Sequence, residues 1–299
     1  MPDAVRVTAP ASSANLGPGF DALGLALRLH NLLELEPAEE PAIEVEGEGA
    51  ATLPRDPSHL AYRAALAVHA RAGRPARAFR IRQRNRIPLG RGLGSSAAAI
   101  VAGAVAANAL LGDPLDRQGL LDLAAELEGH PDNVAAALLG GLVVCADTPS
   151  GIRWVRLTPP ALAAVVVVPE FAVSTREARR LLPPQVPFGD AVFNVTRTAL
   201  LVAALTAGRT DLLGQATEDR LHQPYRAALV PGLEEAFAAA RRAGAHGVAL
   251  SGSGPTVLAL GEAAGIGEAI ARAFRAAGVA CRTFAVEIDL DGAVRESAA

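Results

Sequence analysis

Two kinds of hydrophobic pattern alternate along the chain. Apolar and polar residues alternate one by one over residues 5–9 and 79–87, a period typical of half-buried strands. Apolar residues recur every three or four positions over residues 60–72 and 120–128, which predicts amphipathic helices. The first half of the chain therefore combines strands with helices.

The pattern restarts after the two prolines at positions 159–160. A run of small apolar residues over 163–168 predicts a buried strand, and further strands alternate with helices beyond it. A chain of 299 residues is long enough for two domains of ordinary size. We therefore predict one domain over residues 1–159 and a second over residues 160–299.

A loop with three alternating glycines and two serines joins the strand at 79–87 to an alanine-rich segment. That segment, residues 97–111, is composed of strong helix formers. The two serines are residue types that can cap a helix. The residues of the loop and the helix start are Pro88, Leu89, Gly90, Arg91, Gly92, Leu93, Gly94, Ser95, Ser96, Ala97 and Ala98.

Such a loop favours the binding of an anion. Free backbone N–H groups and the helix dipole both face a ligand at a helix N-terminus, and glycines let the backbone approach it closely. Glycine and serine also form ordinary loops before helices. The strand, the dense glycines and the helix together make a nucleotide phosphate the better interpretation here.

The loop is not a Walker loop, because that motif needs a lysine at the β- and γ-phosphates and the chain contains no lysine. A Schiff-base lysine is excluded by the same observation. The spacing of the glycines also differs from the GxGxxG pattern of dinucleotide-binding folds. The sequence therefore indicates a different kind of phosphate site.

Polar residues in three other segments are candidates for the rest of the site. Asn15 and Asp21 lie in a glycine-rich segment, where they are either ligand contacts or ordinary turn residues. A second polar cluster follows the helix at 120–128. It contains Glu128, His130 and Asp132, and a carboxylate there could hold Mg²⁺ beside a phosphate. The alternative is a structural histidine and a helix cap at Asp132.

Arg179 and Arg226 are candidate clamps for a carboxylate. A guanidinium group matches a carboxylate with two parallel hydrogen bonds. All basic residues of the chain are arginine, however, so the abundance of arginine alone singles out neither. A second glycine–serine turn over residues 250–256 could either bring backbone against a ligand or form a tight hairpin.

Composition narrows the class of protein. The net charge of −3 shows no excess of positive charge of the kind that favours binding to a nucleic acid. Cys145 and Cys281 are far apart, without metal or disulfide spacing, which fits a reducing cytosol. The N-terminus has no basic-then-apolar leader pattern, and we expect no apolar run long enough to span a bilayer. We expect a cytoplasmic protein with no nucleic-acid or membrane partner.

Three motifs together resemble those of the GHMP small-molecule kinases. They lie at residues 10–24, 88–98 and 250–256, in the family's order and spacing. Within that superfamily, SSANLGPGFDALGLAL, EGHPDNVAAALLGG, STREAR, HQPYR and LSGSGPT are most similar to the homoserine kinase family. The likeness covers nearly the whole chain.

The resemblance implies transfer of the γ-phosphoryl group of ATP to the side-chain hydroxyl of L-homoserine, in threonine biosynthesis. It implies ATP and Mg²⁺ as cofactors and a homodimer as the assembly. The implied fold is α+β, a two-domain GHMP kinase fold. Its N-terminal domain would be ribosomal protein S5 domain 2-like and its C-terminal domain ferredoxin-like.

The resemblance also implies a role for each candidate residue. Residues 88–98 would cradle the phosphates, and Ser96 and Glu128 would hold Mg²⁺. Thr175 would lie near the reacting groups, and Asp132 is the counterpart of a general base. The residues implied to bind homoserine are Asn15, Asp21 at its ammonium, His130, and Arg179 and Arg226 at its carboxylate.

Several alternatives stay open. Either Asp132 is the base or the reaction has no dedicated base. Glu126, two residues before Glu128, is the alternative metal ligand. His59 stands where many relatives have asparagine, which leaves the adenine contacts open. The alternative functions are another GHMP kinase, acting on mevalonate or a sugar, and a non-catalytic ligand-binding protein of the same fold.

Overall fold

The computed structural model describes residues 4–296 of the chain. Within that range, seven strands form the first sheet, in the order β11-β1-β2-β4-β3, with β5 paired to β2 and β6 to β5. All pairs are antiparallel except β3 with β4, which a helix over Leu60–Arg71 connects. The strands are β1 (Val5–Ala14), β2 (Leu23–Ala38), β3 (Ala42–Gly47), β4 (Ala78–Asn85), β5 (Leu142–Thr148), β6 (Gly151–Leu157) and β11 (Val294–Glu296).

Four helices pack with this sheet: α1 (Leu60–Arg71), α2 (Ser95–Leu110), α3 (Arg117–Glu128) and α4 (Pro131–Leu139). Helix α2 is at the centre, since it contacts α1, α3, α4 and the strands β1 and β2. Its alanines let these neighbours approach from every side, and nearly all of its residues are buried. A helix that is apolar all round belongs in a core. The N-terminus of α2 is therefore held in a fixed position.

A second sheet has the order β10-β7-β9-β8, and every pair in it is antiparallel. Its strands are β7 (Ala164–Pro169), β8 (Gly247–Leu250), β9 (Val257–Leu260) and β10 (Cys281–Val286). Helices α9 (Leu233–Arg242) and α10 (Ala263–Ala276) complete a β-α-β-β-α-β sequence of elements, as in ferredoxin-like folds. The predicted α+β class is confirmed.

Further elements follow β7 and precede α9, near the glycine-rich loops. They are α5 (Thr175–Arg180), α6 (Phe188–Ala207), the 3₁₀ turn Thr210–Leu212, α7 (Leu213–Ala216), α8 (Gln223–Arg226) and the 3₁₀ turn Ala227–Leu229. Helices α5 and α8 carry the two candidate arginines.

Within residues 4–296, helix α6 is long and apolar enough to cross a membrane by length and composition alone, with a mean hydropathy of 1.3 over its best window. One helix that meets this criterion is weak evidence of a membrane span, so it does not overturn the expectation of no membrane-spanning run. Core helices of soluble proteins meet the same criterion. In α6, Asn194 and Thr198 donate hydrogen bonds to the Pro18 carbonyl oxygen, so one face packs on the first glycine-rich segment.

Two further details differ from the sequence-based expectations or extend them. Helix α2 begins at Ser95, and its N-cap residue is Gly94 with a left-handed φ of 66°, so neither serine is the N-cap. Strand β11 joins the first sheet beside β1, although it belongs to the second half of the chain. The division at residues 159 and 160 falls between β6 and β7, and it stays a prediction.

Candidate active site

The alternating glycines form a tight loop in front of α2. Gly90, Gly92 and Gly94 have φ values of 62°, 78° and 66°, a region that favours glycine. A Cβ at Gly92 would collide with the Ser251 carbonyl oxygen, and one at Gly94 with the Ser12 hydroxyl. Glycine is required at both positions, because backbone of the second glycine–serine turn touches Gly92 and the Ser12 side chain touches Gly94.

The second glycine–serine turn supports this loop from the other sheet. It does connect two antiparallel strands, β8 and β9. The Ser251 hydroxyl donates a hydrogen bond to the Gly92 carbonyl oxygen at 2.6 Å, and the Thr256 N–H donates one to the Arg91 carbonyl oxygen at 3.3 Å. Two motifs that lie far apart in sequence thus form one structure.

A hydroxyl and a carboxylate meet at the N-terminus of α2. The Ser96 hydroxyl donates a hydrogen bond of 2.6 Å to Glu128 Oε1, at the end of α3. Burial raises the pKa of Glu128, and the bond from Ser96 opposes that shift. No side chain caps the first turn of α2, so its N–H groups remain available to an anion.

The donor set fits a magnesium ion only if a ligand supplies most of the oxygens. Among residues 4–296 there is no group of three or more histidine, cysteine or acidic side chains that could hold a metal. Mg²⁺ commonly takes one or two carboxylates with phosphate oxygens and water, and Ser96 and Glu128 suit that arrangement. Glu126 faces elsewhere: it is 64% exposed and pairs with Arg71 at 2.6 Å.

His130 and Asp132 form a pair at the start of α4. His130 is the N-cap residue of that helix and Asp132 lies in its first turn, so Asp132 is not the cap. His130 Nδ1 donates to Asp132 Oδ1 at 3.0 Å, and this hydrogen bond is the main cause that raises the pKa of His130. Asp132 is 2% exposed and also accepts a hydrogen bond from the Asn133 N–H at 2.7 Å.

The first glycine-rich segment holds Asn15 and Asp21 in strained backbone conformations, with φ values of 71° and 55°. The Asn15 side chain bridges two loops: Nδ2 donates to the Gly252 carbonyl oxygen at 3.0 Å, and Oδ1 accepts from the Asp21 N–H at 3.0 Å. Asp21 accepts two hydrogen bonds from Arg179, at 2.7 and 2.8 Å.

Arg226 is a buried cation with no carboxylate partner among residues 4–296. It is 2% exposed, Nη1 donates to the Gly252 carbonyl oxygen at 2.9 Å, and Nε has no hydrogen-bond partner in that range. Burial, followed by the nearby Arg179, lowers the pKa of Arg226 to about 10. An anion beside this guanidinium group would offset the cost of burying it.

Phe20 and His222 hold the two arginines. The guanidinium carbons of Arg179 and Arg226 lie 5.3 and 5.2 Å from the centre of the Phe20 ring. His222 Nε2 donates to the Gly17 carbonyl oxygen at 2.7 Å, which leaves Nδ1 to accept from Arg226 at 3.2 Å. Burial lowers the pKa of His222 to about 4, so the ring is neutral.

One cavity of about 470 Å³ joins these groups to the glycine loop.

Family models for the N-terminal and C-terminal domains of GHMP kinases match residues 59–141 and 201–280. A homoserine kinase of Moorella thermoacetica is 52% identical over 278 residues, which are 92% of this chain and 94% of that protein. The chain belongs to the homoserine kinase family of GHMP kinases.

Two further comparisons agree with this assignment. A homoserine kinase of Desulfitobacterium hafniense is 44% identical and covers 97% of this chain and 99% of that protein. The crystal structure of homoserine kinase from Cytophaga hutchinsonii superposes with a TM-score of 0.89 at 32% identity, over 99% of this chain and 98% of that one. The predicted family, fold and ATP-dependent small-molecule kinase class are confirmed.

The structure brings most of the predicted site residues to the wall of this cavity in the GHMP kinase fold. Three members of the glycine-loop set, Pro88, Ala97 and Ala98, are buried and do not line it. The predicted residues on the wall are Asn15, Asp21, residues 89–96, Glu128, His130, Asp132, Thr175, Arg179 and Arg226. The Thr175 hydroxyl is 3.4 Å from that of Ser253.

Other wall residues were not predicted from the sequence. Ser253 lines the cavity from the β8–β9 turn. Gln83 and Asn85 line it from β4, in phase with the buried Phe79 and Ile81. The signal for these two was present, since polar residues at the inward positions of a strand are unusual. Phe20 and His222 lie within the motifs SSANLGPGFDALGLAL and HQPYR, but the sequence predicts no role for either.

Proposed function

We propose that this protein transfers the γ-phosphoryl group of ATP to the side-chain hydroxyl of L-homoserine, giving O-phospho-L-homoserine. The main support is that one cavity contains both the glycine loop at the start of α2 and the Asp21, Arg179 and Arg226 cluster. An amino acid carries an ammonium and a carboxylate. A carboxylate beside two guanidinium groups complements both charges.

We propose a role for each residue, and the position of its side chain on the cavity wall supports that role. The loop at residues 90–96 would bind the phosphates, and Ser96 and Glu128 would hold Mg²⁺, which neutralises phosphate charge when bound. Asn15 and His130 would contact homoserine beside Asp21. Catalysis of this type depends mainly on positioning and charge stabilisation, and the fixed N-terminus of α2 supports both.

Two versions of this proposal differ in which group accepts the proton of the homoserine hydroxyl. The homoserine oxygen forms a bond to the γ-phosphorus while the bond from that phosphorus to the bridging oxygen of ADP breaks. The proton passes either to Asp132 or to the transferred phosphate. Asp132 is buried and already accepts hydrogen bonds from His130 and Asn133, so it is held in position for either role.

We also propose that the protein works in threonine biosynthesis in the cytoplasm as a homodimer. Helix α6 supports the dimer, because it exposes an apolar row of Phe188, Val192 and Val195, with exposures of 84%, 46% and 70%. Contiguous exposed apolar side chains mark protein interfaces. Light scattering tests this directly: a monomeric mass at micromolar concentration would contradict it.

A panel of acceptors tests the substrate. ATP, Mg²⁺ and L-homoserine, mevalonate or a hexose are supplied in parallel, and ADP release is measured. We expect ADP release that depends on L-homoserine. Phosphorylation of mevalonate or a hexose without homoserine would establish another GHMP kinase activity, and nucleotide binding without turnover of any acceptor would indicate a ligand-binding protein.

A further inference from the structure

The inward face of β4 changes from apolar to polar as the strand reaches the cavity. Phe79 and Ile81 are buried, and the Phe79 ring packs edge-on to Tyr62 of α1. The next two inward positions are Gln83 and Asn85, which are 4% and 3% exposed. Buried amides must find hydrogen-bond partners, so their contacts determine which atoms remain for a ligand.

A chain of hydrogen bonds fixes the orientation of both amides. The Glu48 carbonyl oxygen can only accept, and Asn85 Nδ2 donates to it at 3.0 Å. Asn85 must therefore present Oδ1 on its other side, where Gln83 Nε2 donates at 2.6 Å. Gln83 cannot turn its amide over without placing two acceptors in contact. Its Oε1 is left as an acceptor of fixed direction.

That acceptor has no partner among residues 4–296, although Gln83 is buried and lines the cavity. His59, immediately before α1, lines the same cavity, and its Nδ1 is likewise buried without a partner in that range. Burial lowers the pKa of His59, so the imidazole is neutral and can donate or accept. Unmade hydrogen bonds of buried groups are costly. Two of them on one cavity wall indicate a polar ligand.

We propose that Gln83 Oε1 selects the nucleotide base, by accepting a hydrogen bond from the 6-amino group of adenine and opposing the 6-oxo group of other purines. His59 Nδ1 makes a second contact to the base. This inference rests on the proposed function, since it needs a nucleotide in the cavity. Strand β4 leads directly into the glycine loop, so the wall that it forms adjoins the phosphate site.

A fixed acceptor in a binding site discriminates strongly between a ligand that presents a donor to it and a ligand that presents an acceptor. A site built to bond one polar group rejects the analogue that lacks it, because the buried partner is left unpaired. IDP differs from ADP in carrying a 6-oxo group in place of the 6-amino group. Replacement of Gln83 by methionine keeps the length of the side chain and removes the acceptor.

Calorimetric titration with ADP and with IDP tests the proposal without any acceptor substrate. The expected result is that the wild-type protein binds ADP about ten- to a hundredfold more tightly than IDP. Gln83→Met should reduce the ratio of the two affinities to within about threefold, chiefly by weakening the binding of ADP. Arg84→Met, one position along β4 and exposed, is the matched control and should keep the full ratio.

A second variant separates selection from mere structural support. Asn85→Leu removes the bond that fixes the Gln83 amide, so that Gln83 can present either end. Binding of IDP should then improve, which damage to the fold would not produce; circular dichroism checks the fold of each variant. Equal binding of ADP and IDP by the wild type, or an unchanged ratio in Gln83→Met, would overturn the proposal. Selective ADP binding without phosphorylation of homoserine would instead overturn only the proposed function.

Discussion

Arg179 and Asp21 hold each other through two hydrogen bonds of 2.8 and 2.7 Å, across 158 positions of sequence. The sequence-based hypothesis placed them at opposite ends of homoserine, Asp21 at the ammonium and Arg179 at the carboxylate. In the structure the same two groups are neighbours. Homoserine must therefore exchange this ion pair for its own contacts, or bind with both groups on one side of its α-carbon.

Arg179→Lys tests the role of this pair. Lysine keeps the charge but cannot form the paired hydrogen bonds of a guanidinium group, so we expect the KM for homoserine to rise about ten- to a hundredfold. The KM for ATP should change little. Arg180→Lys, on the same helix and exposed, is the control. A rise in the KM for ATP alone would place Arg179 at the nucleotide.

Glu128→Gln and Glu126→Gln separate the two candidate metal ligands. Glu128 lies in the cavity beside Ser96, whereas Glu126 pairs with Arg71 at the surface. We expect Glu128→Gln to need far more Mg²⁺ and to lose about a hundredfold or more in kcat, because one ligand charge is lost. Glu126→Gln should stay within about twofold of wild type. Initial rates measured over a range of Mg²⁺ concentrations give the magnesium requirement and kcat of both variants. A larger effect of Glu126→Gln than of Glu128→Gln would show that Glu126 is the metal ligand.

Asp132→Asn decides whether a general base is used. If Asp132 accepts the hydroxyl proton, kcat should fall by about a hundredfold or more with the KM values little changed. A kcat within about threefold of wild type would show that no proton passes to Asp132. Since His130 bonds to Asp132, the stability of the variant is measured alongside its rate.

The His130–Asp132 pair predicts a pH-dependent contribution to stability. Asp132 raises the pKa of His130 above its ordinary value of 6.5. The stabilisation is therefore fully present below that ordinary value and is lost as the pH rises through the folded-state pKa. His130→Gln should lower the free energy of unfolding more at about pH 6 than at about pH 9. Urea denaturation at both pH values measures this.

His246→Gln is the control for that experiment, because His246 is exposed and has no ion pair among residues 4–296. Its effect on the free energy of unfolding, measured at both pH values, gives the effect of replacing an exposed histidine without an ion pair. An equal loss at both pH values for His130→Gln would contradict the prediction, because it would mean that folding does not shift the pKa of His130.

The local features of the site could be predicted from the sequence, because they depend on residue type and spacing. The glycines at positions 90, 92 and 94 adopt left-handed backbone conformations, which glycine favours, and the predicted helix α2 follows them. The serine caps were wrong, since a left-handed glycine can itself begin a helix. Ser96 turns its hydroxyl to Glu128 instead.

Features that depend on distant contacts could not be predicted. Nothing local in residues 294–296 shows that they will pair with β1, because an exposed three-residue strand gains its hydrogen bonds only from its neighbour. The partner of Asp21 could not be predicted either, since the sequence contains many arginines that could pair with it. The inward phase of Gln83 was visible in β4, but its free acceptor depends on the Glu48 carbonyl group.

Phosphorus NMR of a reaction containing the protein, ATP, Mg²⁺ and L-homoserine tests the central claim most directly. We predict a phosphate monoester signal that matches O-phospho-L-homoserine and grows in step with ADP. It should be absent when homoserine is omitted. Release of ADP with inorganic phosphate and no monoester, or a monoester formed only when mevalonate or a hexose replaces homoserine, would contradict the account.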